Sequence, residues 1–302
     1  MVNEPLFLNE EQVRRHLRMA DLIPAMEKAL IDFSSGKVTQ PVRSVIKVDP
    51  PGGFLGLMPA LTPDGLGLKA VTFYPSNAAR GIPTHMATIF LVDPETGTPL
   101  AIMDGRLITE MRTAAVSAAA TKLLASPDAK ILAILGSGVQ AHSHVEALRL
   151  VRSFEEIRVW SPTNKHADQF AKEIGGIAVS AEEAVRGADI VVTATNSKAP
   201  VLKGSWLKDG CHVNAVGACR PDWRELDDEA TANVVFVDSR EGALKESGDV
   251  ILSDAKIYAE LGEALAGKVP SHANETTIFK SLGMAVEDIA AAMLAYRSAT
   301  AK

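Results

Sequence analysis

The sequence predicts an α/β fold in which a doubly wound parallel sheet lies within a mixed α/β chain. A chain of 302 residues suits two domains better than one small core. Short β-rich runs separated by Pro and Gly turns occupy residues 40–104, and strand and helix patterns alternate after Pro127. Such alternation is typical of a parallel sheet, because each helix carries the chain back between two parallel strands.

The first third of the chain begins with a helical pattern and continues as strands. After Asn9-Glu10-Glu11, apolar residues from Val13 to Leu30 recur at helical spacing. Residues 93–97 have the Asp, Pro and Gly content of a hairpin turn, and short turns of this kind predict an antiparallel sheet. The predicted strands cover 42–48, 54–58, 67–73, 87–92 and 99–104.

An Ala-rich helix over 112–124 leads into the alternating region. Helices are predicted at 164–174 and 181–186, and Ser180 with Glu183 forms a capping box before the second of them. The last helix, 285–296, is apolar enough to pack against the first third of the chain. The predicted strands of the parallel sheet cover 131–135, 157–160, 177–179, 190–194, 212–216 and 234–238.

Composition disfavours several classes of partner. A net charge of −6 argues against a general binder of nucleic acid or of anionic membranes. No apolar run approaches the roughly 20 residues of a membrane span, so we expect neither kind of partner. The two cysteines provide no disulfide framework, and the first residues lack the apolar segment of a signal peptide. The expected location is the cytoplasm, where thiols stay reduced.

A glycine-rich loop follows the first strand of the parallel sheet. Residues 131–135 lead directly into Gly136-Ser137-Gly138-Val139-Gln140-Ala141 and then a helix. In this pattern the first glycine makes the tight turn and the second admits a pyrophosphate to the backbone. The small third residue packs the helix on the strand, while the helix N-terminus supplies amide donors. The alternative is a plain strand–turn–helix junction, but the βα units that follow favour a dinucleotide site.

The residues after the second parallel strand bear on the choice of cofactor. NAD sites usually place an acid there for the ribose hydroxyls, whereas this chain has Trp160-Ser161-Pro162-Thr163-Asn164-Lys165. The two hydroxyls and the cation suit a 2′-phosphate, so NADPH is the expected cofactor, with NADH as the alternative. Ser161 or Thr163 could instead serve as a helix N-cap, and both interpretations can hold together.

No metal site is expected. His142 and His144 are two residues apart on a predicted helix and so do not face one another. Cys211 and Cys219 lie on and after a strand, and we interpret both as buried thiols and not as zinc ligands.

Several longer segments are distinctive. They are QPVR at 40–43, GLMPA at 56–60, KAVTF at 69–73, RTAAVS at 112–117 and GSGVQ at 136–140. These segments resemble the ornithine cyclodeaminase/mu-crystallin family. NAVGACRPDWRELD at 214–227, LKESGD at 244–249 and SLGMAVED at 281–288 are most similar to its ketimine reductase branch. The resemblance implies a homodimer whose substrate-binding and dimerisation domain comprises 1–113 plus 289–302. An NAD(P)-binding Rossmann domain, 114–288, is then inserted between the two parts.

The resemblance also implies roles for individual residues. Lys69 corresponds to the catalytic lysine of the family, and Arg43 is implied in catalysis with it. The substrate contacts that it implies are Arg43, Met58, Arg112 and Cys219. The cofactor contacts expected from the resemblance and from the loop patterns are Thr84, His85, Arg112, Thr113, Gly136, Ser137, Gly138, Val139, Gln140, Ser161, Thr163, Lys165, Thr195, Val216 and Leu282.

The residues themselves leave open whether Arg43 and Lys69 act at all. Each could be a solvated side chain on the polar phase of a strand, since most charged residues are exposed. Lys69 is, however, flanked by Leu68, Ala70 and Val71, and confinement among apolar groups lowers the pKa of a lysine and allows it to exchange a proton near neutral pH. An arginine suits a carboxylate because its planar fork makes a bidentate contact. His85 is interpreted as pocket lining.

Two departures select the branch. The cyclodeaminase pattern carries a glutamate where this chain has Gly56 and an aspartate where it has Cys219, and cyclodeamination needs carboxylates to handle ammonium and water. The predicted activity is therefore NADPH-dependent reduction of a cyclic ketimine carboxylate to a cyclic amino acid. The alternatives are an L-amino-acid or N-alkyl-amino-acid dehydrogenase and, from another class, a crystallin-type protein that binds an iodothyronine (thyroid hormone) ligand.

Overall fold

The computed structural model describes residues 4–301, which divide into two compact units. The split unit extends to Arg112 and resumes at Met284, and the inserted unit comprises Thr113–Gly283. The predicted second boundary, 288/289, lies five residues further along. The observed boundary follows Gly283, whose φ of 77° turns the chain just before the last helix begins at Ala285.

Within the described part of the split unit, six strands form one sheet in the order β1-β6-β5-β4-β3-β2. The predicted antiparallel pairing is confirmed from β2 to β6. Strand β1 was not predicted; it pairs in parallel with β6 and is too short to show an alternating pattern. The bounds are β1 Leu6–Leu8, β2 Ser44–Val48, β3 Gly53–Thr62, β4 Gly65–Phe73, β5 His85–Val92 and β6 Pro99–Asp104.

Helices cover this sheet. The predicted first helix is two helices, α1 (Glu10–His16) and α2 (Met19–Ser34), and Asn9 caps the first by accepting from the Gln12 amide at 2.9 Å. The last helix, Ala285–Thr300, packs against α2, β3 and β4, as its apolar composition predicted.

Helix α3 (Arg106–Leu124) begins six residues before the Ala-rich stretch that predicted it. The reason is local, because Asp104 at the end of β6 accepts from the Leu107 amide at 2.9 Å and so starts the helix early. Arg112 consequently lies inside α3 and not at its N-terminus.

The inserted unit contains a doubly wound sheet, as predicted. Within the described residues its order is β13-β12-β14-β11-β10-β7-β8-β9, and every neighbouring pair is parallel. The chain proceeds from β7 to β8 and β9 on one side, and to β10 and β11 on the other, so the switch point lies beside β7. The bounds are β7 Ile131–Leu135, β8 Glu156–Trp160, β9 Ile177–Ala178, β10 Ile190–Thr193, β11 His212–Ala215, β12 Val234–Val237, β13 Ile257–Glu260 and β14 Thr277–Lys280.

Strands β13 and β14 were not predicted. Each has four residues, and β14 ends in a charged residue, Lys280, that no strand pattern anticipates. The structure confirms the capping box, since the Ser180 hydroxyl accepts from the Glu183 amide at 3.2 Å. The helices are α4 Val139–Arg149, α5 Asn164–Ile174, α6 Ala181–Val185, α7 Asp228–Thr231, α8 Arg240–Glu246, α9 Gly248–Ile251 and α10 Leu261–Leu265, and Ala285–Thr300 is α11.

From residue 4 to residue 301, none of the helices has both the length and the apolar character needed to cross a bilayer.

Candidate active site

Lys69 lies on the buried face of β4. Strand β4 alternates between inward and outward residues, and Gly65, Gly67, Lys69 and Val71 face inward. In the sheet register Lys69 lies opposite Met58 on β3 and beside Ile89 on β5, and only 2% of its surface is exposed. The interpretation of Lys69 as a surface lysine is therefore wrong.

The ammonium of Lys69 contacts the carboxylate of Asp288, which in turn binds the guanidinium of Arg112. Lys69 Nζ is 2.6 Å from Asp288 Oδ2 and 3.5 Å from the Thr109 hydroxyl. Arg112 Nε donates to Asp288 Oδ1 at 3.0 Å, and its Nη1 donates to Glu287 Oε2 at 2.7 Å. We call Lys69, Arg112, Glu287 and Asp288 the buried ionic cluster. Its two cations balance its two carboxylates, which is the condition under which buried charges are tolerated.

Helix α11 places the two carboxylates. Glu287 and Asp288 lie in its first turn, where the helix dipole favours negative charge. Gln40 accepts from the Val286 amide at 2.7 Å and so satisfies one donor of this helix end. Neither carboxylate was predicted as a site residue. The available signal was a pair of acids on a helix that is otherwise almost entirely apolar.

Burial controls the proton affinity of Lys69. Loss of solvent lowers the pKa of its ammonium to about 8 although the Asp288 carboxylate opposes the shift, and the guanidinium groups of Arg112 and Arg43 lower it further. Burial by itself would raise the pKa of Asp288, but Lys69 and Arg112 hold that pKa below its usual value. The result is an ionised carboxylate beside a lysine that can exchange a proton near neutral pH.

Two other predicted residues of the split unit, Arg43 and His85, interact electrostatically with this cluster. Arg43 is half-buried, and its charge acts on Lys69. His85, at the start of β5, is also half-buried; burial lowers its pKa to about 4, with Lys69 and Arg112 contributing. The imidazole is therefore neutral at pH 7, which agrees with a pocket-lining role. Thr84 accepts from the Tyr74 amide at 2.8 Å through its backbone carbonyl.

The glycine loop of the inserted unit has the geometry of an anion cradle. Gly136 has φ 132°, and a Cβ there would lie 2.4 Å from the Ala194 carbonyl oxygen, so only glycine fits. A Cβ on Gly138 would point into open space, which leaves the backbone accessible. Gly138 is the N-cap residue of α4 without a side-chain cap, and no acid lies in the first turn. These features fit a dinucleotide pyrophosphate.

The two hydroxyl residues predicted after β8, Ser161 and Thr163, differ in burial. Ser161 is buried and accepts from the Ser137 hydroxyl at 2.9 Å, so it ties this segment to the glycine loop. Thr163 is the N-cap residue of α5, but its side chain makes no capping hydrogen bond. Thr163 and Lys165 are exposed, and the first turn of α5 carries no acid.

The remaining predicted contacts lie beyond the carboxyl ends of neighbouring strands. Thr195 follows β10, Val216 and Cys219 follow β11, and Leu282 follows β14, while Thr113 is buried in α3. The expectation that both cysteines are buried is wrong for Cys219. It lies past β11 in a loop where Ala218 has φ 47°, and its thiol is exposed. Cys211 is buried, and burial raises the pKa of its thiol to about 12.

Across the described residues, no group of His, Cys, Asp or Glu is arranged to hold a metal ion. His142 contacts Glu173, whereas His144 is buried against the Ser117 hydroxyl.

The geometry can be set beside known proteins. The family model described as "Ornithine cyclodeaminase/mu-crystallin family" matches residues 3–302. The mouse protein named ketimine reductase mu-crystallin is 52% identical over 308 residues, covering 99% of this chain and 98% of its own length. A solved Δ1-pyrroline-2-carboxylate reductase from Thermococcus litoralis, in complex with NADH and L-proline, is 40% identical, with a TM-score of 0.93 and 97% of each chain covered. An archaeal alanine dehydrogenase dimer with bound NAD is 34% identical, with a TM-score of 0.93, 98% of this chain and 96% of that chain covered.

Proposed function

Because the chain belongs to the ornithine cyclodeaminase/mu-crystallin family, we propose that it is an NAD(P)H-dependent oxidoreductase that reduces cyclic ketimine carboxylates. The substrates are of the piperideine- or pyrroline-2-carboxylate type, and the products are cyclic L-amino acids. The observation that carries the proposal is Lys69, a buried lysine with a pKa of about 8 whose ammonium lies 2.6 Å from Asp288. A proton donor of this kind suits a reaction that turns an imine into an amine.

The chemistry needs one hydride and a protonated nitrogen. When bound, NAD(P)H supplies the hydride to the imine carbon, and the electron pair of the C=N bond moves to nitrogen. The carbon of an imine is more electrophilic when the imine nitrogen is protonated. A group that gives this proton to the nitrogen, or keeps it there, therefore speeds hydride transfer. Lys69 gives this proton, and Asp288 keeps the ammonium ionised and oriented inside the apolar sheet face.

We assign substrate capture chiefly to Arg43. Arg112 donates from Nε to Asp288 and from Nη1 to Glu287. Two nitrogens of its guanidinium are therefore engaged within the buried ionic cluster. Arg43 is half-buried and close enough for its charge to act on Lys69. Its guanidinium therefore suits the carboxylate of a substrate whose imine nitrogen faces Lys69.

Arg43→Ala is expected to raise KM for the ketimine and to leave kcat nearly unchanged. A carboxylate contact made equally before and during hydride transfer contributes to binding and not to the chemical step. Steady-state kinetics on the best ketimine measure both constants, with the exposed Arg14→Ala as the matched control. A fall in kcat without a rise in KM would assign Arg43 to the chemical step instead.

The inserted unit, Thr113–Gly283, is proposed to bind the dinucleotide, and the split unit to bind the substrate. The Gly136–Gln140 cradle suits the pyrophosphate. Strand β8 is not followed by an acid, and the exposed Thr163 and Lys165 at the N-terminus of α5 suit a 2′-phosphate. Thr195, Val216 and Leu282 lie at the same edge of the sheet, where ligands of doubly wound folds bind.

NADPH is expected to bind at least about tenfold more tightly than NADH, a difference of about 1.4 kcal/mol. Calorimetric titration of both cofactors measures this ratio. Lys165→Met should reduce the preference by weakening NADPH alone, whereas the exposed Lys198→Met should not change it. NADH binding as tight as NADPH binding would contradict the assignment of Thr163 and Lys165.

The experiment that tests the function is a substrate panel. Oxidation of NADPH and NADH is followed at mildly acidic and neutral pH with cyclic ketimines, with 2-oxo acids plus amines, and with L-ornithine. We expect the cyclic ketimines to be reduced fastest and ornithine to release no ammonia, because Gly56 and Cys219 supply no carboxylate. A Cβ on Gly56 would already lie 3.1 Å from Val71 Cγ1. Fastest turnover of 2-oxo acids with amines would favour the dehydrogenase alternative, and tight iodothyronine binding without any turnover would favour the hormone-binding one.

We propose further that the protein is a homodimer formed through the split unit. Strand β2 is the edge of its sheet, and the neighbouring Val45 and Ile46, which point to opposite faces, are 49% and 56% exposed. An exposed apolar edge strand is a site for association. Sedimentation should give a dimer for the wild type, and Val45→Lys with Ile46→Glu should give a monomer. A monomeric wild type would refute the proposal.

We also propose that the protein works in a reducing compartment, the cytoplasm. The sequence has only two cysteines, too few for a disulfide framework, and the lack of such a framework is typical of proteins kept in reducing surroundings.

A further inference from the structure

The inserted unit contains a second group of buried charges, at the edge of the sheet where Thr195 and Val216 lie. Lys280 at the end of β14 and Asp249 in α9 are each 1% exposed, and Glu225 is fully buried. Lys280 Nζ lies 3.0 Å from Asp249 Oδ2 and also donates to the Gly217 carbonyl. We call these three residues the lysine–carboxylate network. None of them belongs to the site residues considered above.

The network binds backbone on two adjacent segments. Glu225 Oε1 accepts from the amide and the hydroxyl of Thr195 at 2.6 and 2.7 Å. Its Oε2 accepts from the Thr193 hydroxyl and the Gly217 amide, both at 2.8 Å. Asp249 Oδ1 in turn accepts from the Glu225 amide at 2.7 Å and so orients Glu225 itself. Gly217 is therefore held through its N–H by Glu225 and through its C=O by Lys280.

The backbone around these hydrogen bonds is tightly packed, and two glycines in it have no space for a side chain. A Cβ on Gly217 would lie 2.2 Å from the Thr195 carbonyl oxygen, and one on Gly248 would lie 2.0 Å from the Trp223 carbonyl oxygen. The next residue, Ala218, has φ 47°. A residue other than glycine keeps a left-handed φ only where the surrounding structure fixes it, and such residues cluster at ligand sites.

Buried charges are a costly way to stabilise a fold, since apolar residues of the same volume often do as well. The location of this network indicates what it is for. The glycine loop, proposed to hold the pyrophosphate, follows β7. The segment with Thr163 and Lys165, proposed to hold the 2′-phosphate, follows β8, which lies on one side of β7. Strands β10 and β11 lie on the other side of β7, so the residues after them lie where the far half of a dinucleotide extends.

We propose that Lys280, Glu225 and Asp249 are positioning residues that hold the backbone after β10 and β11 in the conformation that receives the nicotinamide half of the dinucleotide. The inference rests on the proposed function only for the identity of the ligand as a dinucleotide. The network touches no reacting atom, and acts through the backbone of Thr195 and Gly217.

The test compares the whole dinucleotide with its adenosine half. Lys280→Met removes the charge at nearly constant volume, and Glu225→Gln keeps the shape of Glu225 while turning one acceptor into a donor. The exposed Lys245→Met is the matched control. Dissociation constants for NADPH and for 2′,5′-ADP are measured by calorimetry, thermal unfolding is recorded, and kcat is measured with the best ketimine.

We expect both network variants to bind NADPH about tenfold more weakly, a loss of about 1.4 kcal/mol, and to bind 2′,5′-ADP within about twofold of wild type. The value of kcat should fall about 100-fold, as it does when reacting groups are slightly misplaced. Equal weakening of NADPH and 2′,5′-ADP with a lower Tm would mean a purely structural network, and unchanged NADPH binding would also overturn the proposal. Lys280→Met leaves two buried carboxylates without their cation, and this variant could fail to fold for that reason. In that case the Glu225→Gln variant decides between the outcomes. A wild type that binds NADPH but reduces no ketimine would refute the proposed function and leave this affinity comparison valid.

Discussion

Lys69→Met is expected to lower kcat for the best ketimine by about 10²–10⁴-fold, the usual contribution of a general acid. The methionine side chain has nearly the volume of the lysine stem, so the packing against Met58 and Ile89 is kept while the proton donor is lost. Asp288 keeps its contact with Arg112, and the buried carboxylate is therefore not left alone. NADPH affinity should not change, because the dinucleotide is proposed to bind the other unit.

The measurement is steady-state kinetics across a pH series, with NADPH binding as the control for folding and Lys37→Met as the matched surface substitution. In the wild type the rate should fall above about pH 8, as Lys69 loses its proton. If Lys69→Met keeps a near-normal kcat at every pH, the ketimine arrives already protonated. Lys69 would then be an electrostatic residue only, and its assigned role as proton donor would be wrong.

Local patterns in the sequence were sufficient to predict the strand, the tight turn and the helix of the glycine loop. The predicted strand 131–135, the positive φ of Gly136 and the helix that begins at Val139 all lie within a dozen residues. Their physical requirements are local, since a tight turn needs glycine and a pyrophosphate needs unobstructed amides. The resemblance also identified Lys69, and its apolar neighbours gave the correct expectation of a lowered pKa.

The partners of Lys69 could not be predicted in the same way. Asp288 is more than 200 positions away and reaches Lys69 only because α11 folds back on β4. The sequence made Glu287 and Asp288 look like ordinary first-turn acids that complement a helix dipole. Lys280 was missed for a related reason, because its strand contains four residues and its charge is satisfied by Asp249 and Gly217 from other segments. Cys219 was placed wrongly because no strand pattern reveals that the chain leaves the sheet into an exposed loop.

Asp288→Asn is expected to move the alkaline limb of the pH–rate profile to lower pH. The carboxylate of Asp288 raises the pKa of Lys69 against the larger effect of burial, so its removal takes that pKa below about 8. Because reduction needs the protonated lysine, activity in the variant must begin to fall at a pH where the wild type is still fully active. The protein should also lose about 3–5 kcal/mol of stability, since the buried ammonium of Lys69 then loses the carboxylate that lies 2.6 Å from it.

The stability loss should itself depend on pH. The folded-state pKa of Asp288 is lowered relative to the unfolded chain, so its contribution is present above the unfolded pKa and disappears as the pH falls through the folded one. Urea unfolding should therefore separate wild type and variant at neutral pH and bring them together in acid, with Asp21→Asn, whose side chain is 44% exposed, as control. A variant whose alkaline limb stays at the wild-type pH would show that Asp288 does not control the proton on Lys69. Equal stability at neutral pH would show that the pair contributes nothing to the fold. The two measurements are independent, because the first follows the proton on the lysine and the second follows the charge on the carboxylate.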